Sequence, residues 1–524
     1  MSLWTRRSMV RDSSLAAAGA AIDAFAGGRR PNILFICSDQ HTGWALGAAG
    51  GPVVKTPNLD RLAARGVMFR NTYTGNPVCV PGRACLMTGR FASDVESYCN
   101  STPFDGRCPT WGNRLRNAGY HTWATGKMDL WKGKDLGFEE EETSHGHCED
   151  PDITSLFRAP VCFRPKERNN ANGTFADRQA PDQPKVDRAI RFLRERSTKL
   201  AKPWVMYVGL SKPHPKFEAA TKYRDVYPPS QMPLPVIPEG YLERRHTMFQ
   251  ILANFKNLAT PAPVERVQRA RSAYFGLITE LDGLIGSLLE ELDRTGQTGN
   301  TVVVYTSDHG EMLGEHGLWL KNVLLEGAAR VPFIIAGPGI PVGRRVDAPV
   351  SHVDLVRTLL DIAGAPVDKT LRGHSLHPLM RGDAGQAPPF VFSESHSEGN
   401  CTGSFMIRKG DWKYLYFSGD EPLLFHLKED PGELRNLAGR SETKEIQREL
   451  HKLLLSVVDP DRVTDAAFRK QRRILEEMVR AKTRDEFYET LVGRLGKAQA
   501  SVLTAQFYPR SGGSVNARRS GAPV

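Results

Sequence analysis

The sequence predicts an α/β fold: a mainly parallel sheet sandwiched by helices, followed by a smaller C-terminal subdomain of antiparallel strands and helices. Three observations carry this. Short apolar runs at 32–37, 204–210 and 301–307 each end in a polar cluster, the pattern of strands buried on both faces. Residues 186–200 and 270–294, lying between them, repeat Leu, Ile, Phe and Val at helical spacing, and strands alternating with helices build parallel sheets. Beyond about Pro389 the texture shifts to short strands separated by turn-rich pieces.

Taken in order, residues 1–26 stand apart. Thr5-Arg6-Arg7-Ser8-Met9-Val10-Arg11 precedes an Ala/Gly-rich stretch ending Ala24-Phe25-Ala26-Gly27, which resembles a twin-arginine export signal with an A-x-A cleavage site. The expected location is therefore periplasmic or secreted. The strand at 32–37 runs into Ser38-Asp39-Gln40-His41, that at 204–210 into Ser211-Lys212-Pro213-His214, and that at 301–307 into Asp308-His309-Gly310. In open α/β sheets ligands bind beyond the carboxyl ends of the strands, so these polar clusters are the expected site. A catalytic domain is expected over 31–389 and a C-terminal subdomain over 390–496. The latter has strands at 390–394, 404–408, 412–416 and 423–427, then helices at 441–457 and 465–496, the second read from its charge as a surface or subunit-contact element. A loose tail is expected over 497–524.

Composition narrows the class. A chain of 524 residues with 40% hydrophobic and 25% charged residues has ordinary globular character. The net charge of +11 is spread along the chain and interleaved with acids, which suits anionic substrates and carries no nucleic-acid motif. No run of eighteen apolar residues predicts a membrane span. The eight cysteines lack zinc-ligand spacing; Cys99 and Cys108 are near enough in sequence to pair in an oxidising compartment.

One cysteine has a distinct setting: Cys79-Val80-Pro81-Gly82-Arg83, within a run from Asn76 to Arg90. Alone, a cysteine before proline reads as a small buried hydrophobe. Further segments supply complementary chemistry. Asp39 and Asp308 offer anionic oxygens, Gln40 an amide oxygen and His309 an imidazole, a donor set for a hard divalent cation. Lys127 in Thr125-Gly126-Lys127-Met128-Asp129 and Lys321 in Gly317-Leu318-Trp319-Leu320-Lys321 offer positive charge. His214 offers an acid of near-neutral intrinsic pKa.

Together these segments resemble the formylglycine-dependent sulfatases, the type I sulfatases of the alkaline-phosphatase-like superfamily, over 31 to about 485. The resemblance implies that Cys79 is oxidised by a formylglycine-generating enzyme to an aldehyde whose hydrate is the nucleophile. It implies a cation, Ca2+ first with Mg2+ or Mn2+ as alternatives, held by Asp39, Gln40, Cys79, Asp308 and His309. Arg83 is expected to steady residue 79, Lys127 and Lys321 to hold sulfate oxygens, and His214 to protonate the leaving alcohol, with His309 or the partners of Asp308 as base for sulfate release. Gln40 stands where many members have Asp, His309 where many have Asn, and Gly82 where Ser is usual. Asp129 occupies the place of a second histidine and is read as a substrate-pocket acid or a partner of Lys127.

Within the family, Ser38-Asp39-Gln40, Gly126-Lys127-Met128 and the run from Ser307 to Gly317 look like the choline sulfatases. Glu96-Ser97-Tyr98-Cys99-Asn100 and Lys127-Met128-Asp129 are closer to the arylsulfatase K group. His396 has a counterpart in both and is expected to face substrate. Trp44, Trp131 and Trp319 are available to cage a quaternary ammonium, but the expected cations favour a sulfated carbohydrate over choline sulfate. Two rivals stand beside this reading: a phosphonate monoester or phosphodiester hydrolase of the same superfamily, and a non-catalytic anion-binding protein in which Cys79 stays a thiol.

Overall fold

The computed structural model describes residues 30–509, apart from 52, 143–147, 150 and 159–161. The export segment therefore lies outside the described residues, as does the tail from 510.

Fifteen strands are described: β1 Asn32–Asp39, β2 Gly66–Tyr73, β3 His121–Gly126, β4 Glu140–Glu142, β5 Thr174–Ala176, β6 Trp204–Pro213, β7 Glu218–Ala220, β8 Thr301–Ser307, β9 Arg330–Ala336, β10 Arg344–Val346, β11 Val350–Ser351, β12 Val391–Ser395, β13 Ser404–Lys409, β14 Trp412–Phe417 and β15 Asp420–His426. Nine form the central sheet in the order β10-β2-β9-β8-β1-β6-β3-β4, with β11 also on β2; β5 and β7 pair separately. Only β9 runs antiparallel to its neighbours β2 and β8, so the sheet is mainly parallel, as expected.

Residue parity assigns the two faces. Leu34, Ile36, Met206, Val208, Val303 and Tyr305 pack against Val186, Phe192, Leu281, Ile285 and Leu288, from helices Gln183–Glu195 and Val264–Arg294. Ile33, Phe35, Val205, Tyr207, Val302 and Val304 point the other way. There they meet Ala84, Leu86, Leu115, Val356 and Leu359, from helices Cys79–Thr88, Trp111–Asn117 and His352–Ile362. Both faces are covered, which is why the strands read as continuous apolar runs.

The C-terminal sheet, β12-β13-β14-β15, is antiparallel throughout. Phe392, Phe405, Ile407 and Leu424 pack on Leu450 and Leu454 of helix Lys444–Val457. Met406, Leu415, Phe417 and Phe425 face the main body. Two expectations are corrected here. The single charged helix at 465–496 is two, Pro460–Ala481 and Arg484–Leu495, because Asp459 and Thr483 each cap a new start. The loose tail begins later than 497: Lys497–Phe507 is a helix whose Ala500 and Leu503 are buried with Phe487, Leu491 and Leu495 in the main core. Both segments thus carry core residues. No helix among the described residues is long and apolar enough to cross a membrane, and all eight cysteines are free, so Cys99 and Cys108 are not bridged.

Candidate active site

Four adjacent parallel strands deliver the site. Ser38 lies opposite Ser307, Asp39 opposite Pro213, and Gly126 opposite Gly209. The residues that follow, Gln40, Asp308, His309, His214 and Lys127, therefore emerge at one edge of the sheet, as the switch-point rule requires. At Gly126 the backbone has φ of 87°, and a Cβ there would sit 2.0 Å from the carbonyl oxygen of Gly209. Only glycine fits this close strand approach, which explains its place before Lys127.

Cys79 is the first residue of a ten-residue helix that is buried throughout. Its Sγ is 2.7 Å from Lys321 Nζ, 3.3 Å from His309 Nε2 and 3.9 Å from Asp39 Oδ1. Lys321 Nζ is in turn 3.1 Å from His309 Nε2. The sequence-predicted Asp39, Cys79, Asp308 and His309 offer donor atoms that all lie within 4.8 Å of one another, and all four are buried.

This donor set fits a divalent cation. His309 Nε2 is 3.5 Å from Asp39 Oδ1 and 3.6 Å from Asp308 Oδ1. Its Nδ1 is 3.0 Å from the carbonyl oxygen of Gly310; a carbonyl only accepts, so Nδ1 carries the proton and the Nε2 lone pair faces the cluster. That one lone pair cannot both ligate a cation and accept a proton, so the same geometry that suits His309 as a ligand argues against it as the base. Gln40 adds a second sign of fit: its buried Oε1 has no hydrogen-bond partner, a costly state that a cation would relieve.

Cations surround the cluster. Lys127 Nζ forms a very short ion pair with Asp39 and lies 3.1 Å from Asp129 Oδ2, so Asp129 does pair with Lys127. Asp39 is held well below the usual carboxylate range; burial opposes this, and Lys127, His214, Lys321 and His309 outweigh it. Lys321 is raised despite its burial, by Cys79 and Asp39. Arg83 differs from expectation. Its donors go to Asp308 Oδ2, the Lys127 carbonyl and the Tyr207 hydroxyl, each at 2.9 Å. It positions the carboxylate and the Lys127 backbone, and its side chain is not given to residue 79.

His214 Nδ1 is 2.8 Å from the Pro215 carbonyl oxygen, so Nδ1 is the donor and Nε2 the exchangeable atom. Burial pushes the imidazole down to about 4, aided by Lys321 and Lys127 and opposed by Asp39.

His396 is the clear correction among the site residues. It is fully buried, its Nε2 lies 2.8 Å from Glu394 Oε2, and its ring packs edge-on to Tyr98 and Phe405. The expected loop does reach the site, through Glu398. That carboxylate accepts from Asn322, beside Lys321, at 3.0 Å, and from Asn100, whose side chain also accepts from the amide of Val80. Sequence reasoning also gave no role to Tyr207, whose only signal was a hydroxyl inside an apolar strand, or to Glu311, a buried acid amid the apolar residues after His309.

Comparison with known proteins agrees with this geometry. A sulfatase family model matches residues 31–365, and an N-sulphoglucosamine sulphohydrolase C-terminal model matches 314–459. Arylsulfatase K of Danio rerio is 31% identical over 462 residues, covering 84% of this chain and 86% of that protein. The choline-sulfatase of Rhizobium meliloti is 34% identical over 428 residues, covering 78% and 82%. Among solved structures, the phosphonate monoester hydrolase of Agrobacterium radiobacter superposes with a TM-score of 0.70 at 26% identity, covering 82% of this chain and 95% of that one. The chain belongs to the sulfatase family and is a sulfuric ester hydrolase.

Proposed function

We propose that the protein hydrolyses a sulfate monoester of a saccharide, using residue 79 as nucleophile after a formylglycine-generating enzyme has oxidised Cys79 to the aldehyde. The observation that carries this reading is the placement of Cys79 Sγ between Lys321 Nζ and His309 Nε2 at the start of a buried helix. An oxygen in place of that sulfur meets a cation on one side and the helix N-terminus on the other, both of which favour an anion.

A divalent cation held by Asp39, Gln40, Asp308 and His309 would supply positive charge to polarise the ester and favour ionisation of the nucleophile. The oxygen-rich majority of the set favours Ca2+, while the imidazole of His309 favours Mn2+ as the second reading. Lys127 and Lys321 neutralise the non-bridging sulfate oxygens, and Arg83 keeps Asp308 and the Lys127 backbone in place. His214 Nε2, protonated as the anionic ester binds, gives its proton to the departing alcohol.

Two tryptophans considered for a quaternary-ammonium cage are committed elsewhere. Trp44 packs edge-on to Phe275, and Trp319 is buried in the core. This supports a sulfated saccharide over choline sulfate. The phosphonate-hydrolase reading is favoured by the structural likeness to the Agrobacterium enzyme. Export by the twin-arginine route, resting on Arg6 and Arg7, belongs to the same proposal.

The test is the intact mass of the peptide spanning Cys79, from protein coproduced with a formylglycine-generating enzyme, with turnover of aryl sulfate, aryl phosphonate and phosphodiester compared on the same preparation. The aldehyde mass and a preference for sulfate are expected. An unmodified thiol in fully active protein would overturn the nucleophile, and a preference for phosphonate or phosphodiester would overturn the substrate class.

A further inference from the structure

We propose that Glu311 is the positioning residue that fixes the side-chain amide of Gln40 with its oxygen turned to the cation site. The inference rests on the cation reading above and adds to it a residue that touches neither the cation donors Asp39 and Asp308 nor Cys79.

Gln40 is held at every polar atom but one. Its backbone N–H donates to Asp308 Oδ1 at 3.1 Å, and its carbonyl oxygen accepts from the Tyr274 hydroxyl at 2.6 Å. Its φ of 71° lies in the left-handed region, a conformation that persists in a non-glycine residue only where the surroundings impose it. The side-chain Nε2 is 2.5 Å from Glu311 Oε2, and Oε1 is buried without a partner.

Which end of an amide is nitrogen follows from its partners. Glu311 Oε1 accepts from the backbone N–H groups of Leu313 at 3.0 Å and Leu320 at 2.6 Å. Two backbone N–H donors thus converge on Oε1, and the ionised carboxylate has only an acceptor to offer Gln40 at Oε2. The Gln40 nitrogen must face Glu311, so the oxygen must face away from it, where it is buried without a partner. The same carboxylate ties the chain at Leu313 to the chain at Leu320, next to Lys321. Lys256 reinforces this by donating to the carbonyls of Trp319 and Lys321. One acid therefore sets both the fourth cation donor and the loop that carries Lys321 to Cys79.

The arrangement is reversible by design. In Glu311→Gln the new carbonyl oxygen still accepts from Leu313 and Leu320, so the loop keeps its bonds, but the new amide nitrogen faces Gln40. Gln40 must then turn its oxygen toward residue 311 and present –NH2 to the cation. In the reciprocal pair Gln40→Glu with Glu311→Gln, the residue-311 amide donates to the residue-40 carboxylate, whose second oxygen again faces the cation, and the total charge is unchanged.

The test is titration of Mn2+ and of Ca2+ into chelator-stripped full-length protein by calorimetry, with the melting temperature of each metal-free variant as a check on folding. Glu311→Gln is expected to weaken the cation by about 10- to 100-fold, the range for loss of a group that orients a ligand. The reciprocal double variant is expected to bind at least as tightly as the parent, and its gain over Glu311→Gln is expected to exceed the gain of Gln40→Glu over the parent, which a merely structural role for Glu311 does not predict. Parent-like affinity in Glu311→Gln, or no recovery in the double variant, would overturn the proposal. A parent protein that binds neither ion would overturn the cation reading itself.

Discussion

Lys321 Nζ contacts Cys79 Sγ at 2.7 Å although the two residues are 242 positions apart. The ammonium is buried in the company of His309, Asp39 and Lys127, where a fixed charge acts through a low effective dielectric. Lys321→Met keeps most of the volume and removes the charge. Turnover of an aryl sulfate is expected to fall by about 10²–10³, as for loss of one preorganised transition-state donor. The melting temperature should fall, because Cys79 and Asp39 outweigh the cost of burying the ammonium and its removal leaves buried Asp39 less compensated. Steady-state kinetics beside thermal melts check both; parent-like kcat would remove Lys321 from the chemistry.

For His214 the argument runs through the leaving group. Nδ1 is committed to the Pro215 carbonyl, so any proton passed to the alcohol comes from Nε2, and the depression to about 4 means that the ligand-free imidazole is neutral at pH 7. Below that value the site already holds the proton; above it, the bound ester's negative charge must help to load it. His214→Asn is therefore expected to cut kcat/KM about 10²–10⁴-fold for alkyl sulfates. It should barely affect 4-nitrophenyl sulfate, whose alcohol leaves unprotonated. Equal losses on both substrates would show that His214 binds sulfate and does not act as an acid.

The strand ends were legible because each apolar run stops at a polar cluster, and a parallel sheet must align those stops. Asp39, His214 and Asp308 were therefore placed by the fold class alone. Glu311 and Tyr207 were not, since a polar group inside an apolar stretch declares burial without naming its partner. His396 drew attention to the right loop, but the chain just past the end of β12 turns its ring onto Glu394, Tyr98 and Phe405, and Glu398, two residues on, reaches Asn322. Residues 497–507 were misjudged because their few apolar positions pack on Phe487, which only the turn at Gly496 brings near.

Stability should fall in mild acid for a reason visible in three other histidines. His41, His316 and His352 are each pushed by burial from 6.5 to about 4. A depressed imidazole is neutral in the fold while the unfolded chain takes up its proton at about 6.5, so stability is intact above about 6.5 and is lost as pH falls toward about 4. Each histidine adds a slope approaching about 1.4 kcal/mol per pH unit within that window. Guanidinium unfolding at pH 7, 6 and 5 measures it. His316→Gln, whose group lies against Tyr241 and away from the cation donors, should flatten the slope; an unchanged slope would refute the assignment.

Gly82 stands where the family's usual residue is Ser, and from the sequence alone it reads as a weakened modification signal. The geometry offers another cause. A Cβ at residue 82 would lie 2.6 Å from the Asn76 carbonyl oxygen and 3.1 Å from that of Asp308. The Asn76 carbonyl cannot easily yield, because it already accepts from the Val78 amide and the Thr74 hydroxyl, each at 2.9 Å. Adding a side chain would force the Cys79 helix away from the Asp308 strand end, and overpacking of this kind costs about 1–3 kcal/mol. Gly82→Ser and Gly82→Ala are both expected to lower the melting temperature, and by similar amounts if the cause is steric. The conversion of Cys79, read from peptide mass, should be no higher in Gly82→Ser than in the parent. A Gly82→Ser protein that melts like the parent and is more fully converted would show that the glycine is a defect of the motif and not a requirement of this packing.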